Sequence, residues 1–292
     1  MRMRTYSERD KDCPQPPSSP SISSNIDRPM QALVYTLSAL AATATPESGK
    51  PADMVIQQQI PGTSLQLVLV PMPVPDGSPT VWVSRDEISW DLYDTLVYQL
   101  DRTDTTAPED GGITRPTKPY LMADRGWGHA GYPALSVSHR GAEAFCAWLS
   151  AKTGKHWRLP TVAEWTRLCE TSGLSSTTMD EHAWHKPNAK RKTQKIGTRK
   201  ADANGLRDLQ GNVAEWCTTP DGSWVLMGAS FRDDATSMPC DATKTPLPEW
   251  NDTDPQIPKS IWWLSDAPFA GFRVMCDETT PAAQPEEDVN DE

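Results

Sequence analysis

A chain of 292 residues has room for one large domain or two ordinary ones. Its formal charge of −11 argues against nucleic acid or an anionic membrane as partner, because both need a basic face. No run of about 18 apolar residues is present to cross a bilayer, and the 27 prolines point to long loops.

Residues 1–29 are polar, rich in Ser and Pro, and without periodicity, which reads as disorder. From Met30 to Thr45 a short apolar stretch ends in small residues, and Ala42-Thr43-Ala44 fits an A-x-A cleavage pattern. Two readings stand: a secretory signal starting at Met30, or a short amphipathic or buried helix. Arg28 is the nearest positive charge. The domain itself is expected to start near Gly62, giving a disordered segment over 1–60, a domain over 61–277 and an acidic disordered tail over 278–292.

Leu65–Val70 is a strand-like apolar run ended by Pro71, and Val81–Ser84 is a second short strand. Pro73, Pro75, Asp76 and Gly77 supply the turn between them. Ser89 can cap a helix that carries Leu92, Tyr93, Leu96, Val97 and Leu100 on one face. Residues 101–134 read as a long ordered surface loop. Within it, Trp127 stands between Gly126 and Gly128, next to His129. That tryptophan either stacks on a ligand or plugs the loop onto the core.

Ser138 and Gly154 bracket a helix with Phe145, Cys146 and Leu149 on one face. Thr161-Val162-Ala163-Glu164 is a capping box, followed by Trp165, Leu168 and Cys169 at helical spacing. Lys190–Lys192 is a basic cluster that reads as a solvated loop. His182-x-x-His185 has a spacing that could hold a metal on a helix, although Pro187 follows closely and no third ligand stands nearby. Twelve tryptophans against four phenylalanines suit a loop-rich core whose large rings keep a polar anchor. None of the six cysteines forms a Cys-x-x-Cys pair, which argues against a zinc ribbon or a thioredoxin-type site.

One stretch, Asn204–Cys217, reads Asn-Gly-Leu-Arg-Asp-Leu-Gln-Gly-Asn-Val-Ala-Glu-Trp-Cys. Arg158-Leu-Pro-Thr-Val-Ala-Glu-Trp165 precedes it, and Gly228-Ala229-Ser230-Phe231 and Gly271-Phe272-Arg273 follow. In this order the four blocks resemble the formylglycine-generating enzyme family, also called sulfatase-modifying factors. The resemblance implies an α+β, C-type-lectin-like fold rich in irregular structure. It also implies a calcium site at Asp208, the carbonyls of Gly211 and Val213, and Glu215, a donor set of the hard oxygen type that calcium takes. Without an ion, Glu215 would cap backbone amides and Asp208 would close an Asx turn. A second family calcium site would begin at Asn188, but the acidic residue expected after it is not clearly present.

Active members hold copper(I) with two cysteines just after the Gly-Gly-Ser-aromatic block, a bis-thiolate suited to a soft ion. Counting on from Ser230, those positions fall at Asp233 and Met238. Copper is therefore not expected. The resemblance also implies two disulfides, Cys146–Cys276 and Cys169–Cys240, and with them an oxidising compartment and export. Cys217 is left as a small core residue.

Three functions follow. The first is a non-catalytic binding or structural module, acting as a monomer on a protein, peptide or glycan ligand. Its ligand surface would be the 101–134 loop, with Trp127 and His129, together with Ser230, Arg232 and Asp233. The second is an active oxidase that converts a sulfatase cysteine to formylglycine using Cys217 or Cys240. The third is a relative of the iron-dependent sulfoxide synthases, which need three histidines; His129, His139, His156, His182 and His185 show no such arrangement in the sequence.

Overall fold

Local signals set the helix ends in the computed structural model, which describes residues 55–73, 81–102, 115–116, 118–119, 123–253 and 263–281. The stretch Met30–Thr45 and the tail beyond residue 281 lie outside the described residues. Ser89 caps α1 (Trp90–Tyr98), its hydroxyl accepting from the Leu92 amide. Ser138 caps α2 (His139–Thr153) in the same way at Gly141, and Gly154 ends it in the left-handed region at φ 68°. Both arms of the capping box at Thr161 and Glu164 are formed at the start of α3 (Val162–Glu170).

Five antiparallel strands build the first sheet. They are β1 (Ile56–Gln59), β2 (Gln66–Pro71), β3 (Val81–Ser84), β4 (Lys155–Arg158) and β9 (Met275–Pro281), in the order β1-β2-β3-β9-β4. The second sheet has the order β7-β6-β5-β8. It contains β5 (Ala214–Thr218), β6 (Trp224–Met227), β7 (Thr243–Lys244) and β8 (Ala270–Gly271), with β5 and β8 parallel. A one-turn helix, α4 (Met179–His182), lies in the long connection between α3 and β5. Mixed strands and few helices give the α+β class expected from the sequence.

The ordered sheet starts earlier than Gly62. Ile56 pairs with Leu69 and Gln59 with Gln66, although a segment reading Ile-Gln-Gln-Gln has no apolar alternation to announce it. At the other end β9 carries the backbone to Pro281, past the expected limit at residue 277. Leu100 lies beyond α1, because Gln99 turns left-handed at φ 58° and ends the helix, and its side chain is 60% exposed.

Three buried tryptophans are core blocks with anchored edges. Trp148 Nε1 donates to Asp101 Oδ2 at 3.1 Å, Trp157 to Thr153 Oγ1 at 2.7 Å, and Trp216 to the Val137 carbonyl at 2.8 Å. Each ring buries a large apolar area while its single donor stays satisfied.

Candidate functional site

The four sequence blocks meet where the two sheets face one another. Glu215, on β5, forms a bidentate ion pair with Arg273, from the segment between β8 and β9. Arg273 Nε lies 2.7 Å from Oε2 and Nη2 lies 2.6 Å from Oε1, with both side chains fully buried. Trp165 Nε1, on α3, donates to Glu215 Oε2 at 2.9 Å. The guanidinium also donates to the Ser84, Arg85 and Arg207 carbonyls. A buried charge is tolerated when it is paired and its remaining donors are satisfied, and here one arginine does both while pinning the sheets together. Arg158, from the first block, bridges Glu164 on α3 and Asp277 on β9 at 2.7 and 2.9 Å.

Asn212 is a second hub. Its Nδ2 donates to Glu87 Oε2 at 2.7 Å, its Oδ1 accepts from the Gln194 amide at 2.9 Å, and its carbonyl accepts from the Phe231 amide at 3.0 Å. The residue sits at φ 54°, a conformation asparagine adopts more readily than most. Glycine is required next to it. A Cβ on Gly211 would come within 2.7 Å of the Trp184 carbonyl and 2.8 Å of its nitrogen.

Asp208 is buried in the same turn. Its Oδ1 accepts from the Trp184 amide at 3.0 Å, whereas Oδ2 is buried with no hydrogen-bond partner. Burial above all, with the Asp86 charge added, raises its pKa to about 7 against the Trp184 amide and the Arg273 and Arg199 charges. Glu87, missed in the sequence as a site residue, accepts from the Val213 amide at 2.9 Å. Burial and the Asp208 and Glu215 carboxylates push its pKa well up. Three buried carboxylates thus share one turn, and Arg273 is bound to only one of them. No three His, Cys, Asp or Glu side chains among the described residues converge as a metal site, so a cation here would depend on the Gly211 and Val213 carbonyls. The orphaned Asp208 oxygen and the excess of negative charge fit a hard cation. The Glu215 oxygens are already occupied by Arg273 and Trp165.

The Gly-Ala-Ser-Phe block forms the adjacent turn. Ser230 is fully buried. Its amide and its hydroxyl both donate to Asp233 Oδ2 at 2.8 Å, and Lys244 Nζ lies 3.1 Å from the same oxygen. Met238 packs beside the small cluster of Met179, Ala183, Ala229 and Ala235. Cys240 is bonded to Cys169, the pairing expected from the resemblance. Cys217 is a fully buried thiol whose pKa is driven up by desolvation. A carboxylate, a single thioether and a buried thiol do not reproduce a bis-thiolate copper(I) site.

The second implied bridge is not formed. Cys146, on α2, is a thiol, and both it and Cys276 lie in the main apolar core. There a cysteine packs as a small hydrophobe, and burial pushes the Cys146 pKa up.

The ligand candidates separate. Trp127 meets Phe231 edge-on at 5.1 Å and packs on the core. Arg232 lies 5.4 Å from both the Phe231 and Phe269 rings. His129 instead stacks on Trp90 at 5.1 Å, held between Asp94 at 2.7 Å and Asp124 at 3.0 Å. The His182 and His185 side chains do not converge, because α4 stops at His182 and Ala183 is extended. His182 reaches the Lys200 carbonyl and His185 reaches Asp180.

Arg232, Phe231, Lys186 and Arg191 line a cavity of about 370 Å³. The sequence does not single out Lys186, and Arg191 falls in the Lys190–Lys192 cluster that reads as a solvated loop. Nothing local distinguishes them from other exposed cations; only the folded position of Arg232 does.

Residues 82–244 match the Sulfatase-modifying factor enzyme 1-like domain. Chaperone protein LppX of Paenibacillus barcinonensis is 31% identical over 101 residues, covering 24% of this chain and 36% of that protein. The chain thus spans about a third of the length of this curated relative. Among solved structures, the Treponema denticola variable protein 1 is similar with a TM-score of 0.50 at 17% identity, covering 77% of this chain and 99% of that one. PvdO from Pseudomonas aeruginosa is similar with a TM-score of 0.50 at 17% identity, covering 79% and 100%. The two likenesses place the fold with formylglycine-generating-enzyme-like, C-type-lectin-like proteins, and the matched residues carry three of the four sequence blocks and the turn that holds Asp208, so the chain belongs to the sulfatase-modifying factor enzyme 1-like domain family.

Proposed function

We propose that this chain is a ligand-binding member of its family, without the copper-oxidase chemistry. The observation that carries this reading is Asp233. It stands at a copper-ligand position and its Oδ2 is taken up by the Ser230 amide, the Ser230 hydroxyl and Lys244. Met238, at the other position, is a neutral thioether packed among apolar side chains. Neither supplies a thiolate, the Cys240 sulfur is held in a disulfide, and Cys217 is fully buried. The ligand face consists of Phe231 and Arg232, which line one cavity, with Trp127 set edge-on against Phe231.

A calcium ion at Asp208 and the Gly211 and Val213 carbonyls would stabilise this face, not react there; Glu215, which the resemblance adds to that set, has both oxygens taken by Arg273 and Trp165. The ion would neutralise the orphaned Asp208 oxygen and fix the turn that carries Asn212 and, through it, Phe231. The Cys169–Cys240 bridge supports export to an oxidising compartment. No helix among the described residues is long and apolar enough to cross a membrane. The domain would act as a monomer on its ligand.

A competition titration of copper(I) against a chelating dye tests the loss of the copper site. The folded protein should leave copper(I) with the dye. Stoichiometric transfer of copper(I) to the protein would refute the reading.

A further inference from the structure

In a chain of charge −11, exposed cations are expected to find carboxylates. Lys200 does so with Glu181 at 2.6 Å, and Arg158 does so twice. What sets Lys186, Arg191 and Arg232 apart is not the lack of a carboxylate among the described residues, which exposed Lys155 and Lys195 share, but their common position. They line one cavity of about 370 Å³ with Phe231, a size typical of small-molecule sites. None of the three forms an ion pair among the described residues.

Three cations from two distant segments do not gather by accident of a solvated loop. The segments are joined by the Lys186 amide, which donates to the Asp233 carbonyl at 2.8 Å, and the Arg232 amide is held locally by Ser230 Oγ at 3.2 Å. Two aromatic rings flank the Arg232 guanidinium. Lys190 and Arg191 both hold positive φ, 56° and 61°, a costly conformation for residues with long side chains, and such strain gathers at binding sites. Asp233 and Asp234 feel the Arg232 and Lys186 charges, but their hydrogen bonds and ion pairs go to other groups. Asp233 is bound to Ser230 and Lys244, and Asp234 accepts from Thr236. Burial and the Arg125 charge lower the Arg232 pKa, with the Asp233 carboxylate acting against them.

We propose that this cavity binds a small, multiply charged anion whose phosphate or carboxylate groups pair with Lys186, Arg191 and Arg232 while its carbon skeleton lies beside Phe231. This rests on the reading of the Trp127–Phe231–Arg232 face as the ligand face, and it names the chemistry of the ligand.

Calorimetric titration of the full chain with three probes tests it: fructose 1,6-bisphosphate for phosphate, galactarate for carboxylate, and uncharged fructose. Saturable binding is expected for at least one of the two anions and not for fructose, and whichever binds identifies the group recognised. Arg232→Glu and Lys186→Glu, both at exposed positions, should each weaken that binding by about tenfold or more. Lys155→Glu, which makes the same charge change on exposed β4, should leave it intact. Failure of both anions to saturate, or equal weakening by Lys155→Glu, would overturn the proposal. Anion binding by a protein that also produced aldehyde on a cysteine peptide would sink the non-oxidase reading and leave the anion site standing. Neither anion binding nor aldehyde would sink the anion site alone.

Discussion

Asp208 and Glu215 sit in one turn and meet opposite fates. Glu215 is neutralised by Arg273 in the core, and breaking such a pair costs about 3–5 kcal/mol because it strands a buried charge. Asp208 keeps one oxygen without a partner. If calcium fills that role, a hundredfold excess over its Kd adds about 2.7 kcal/mol of stability and raises Tm by several degrees for a domain of this size, at about 2–4 °C per kcal/mol. The increment should vanish in Asp208→Asn. A melting curve indifferent to both calcium and chelator would contradict the site. Residue identity was legible here, because the Gly-Asn turn between two carboxylates is a local pattern. The partners were not: Arg273 lies 58 residues from Glu215, and Glu87 lies 126 residues from Val213, so only the fold brings them together.

Helix boundaries were legible because caps act over three or four residues. Ser89, Ser138, Gly154 and the Thr161–Glu164 box all do what their spacing requires. Elements whose existence depends on distant pairing were harder. The strand β1 has one apolar residue and is held by its register on β2. Leu100 continued the helical period on paper, but the left-handed Gln99 had already ended the helix. Of two implied bridges, one joins α3 to the loop after the Ser230 turn and the other gives way to packed thiols. Closing a loop of 71 residues is worth about 4 kcal/mol in the chain-entropy account. The double variant Cys169→Ser, Cys240→Ser should therefore unfold at markedly lower urea, and an unchanged midpoint would deny the bridge a stabilising role.

Across the molecule, charge and function are unevenly placed. The sequence is strongly acidic, yet the cavity beside Phe231 is lined by cations, so net charge excluded polyanionic polymers as partners without speaking to a small anion. Residues of the family blocks carry the fold: Arg158, Trp165, Asn212, Glu215 and Arg273 hold the sheets, α3 and the central turn together, a role the calcium reading of Glu215 did not anticipate. The proposed loss of oxidase chemistry rests on Asp233 and Met238 and on sulfurs that are bridged or buried. The direct test is turnover of a peptide bearing a sulfatase-type Cys-x-Pro-x-Arg motif by copper(I)-supplemented, folded protein under oxygen, followed by mass spectrometry. The expected result is unchanged cysteine; conversion of that cysteine to the aldehyde would contradict the account.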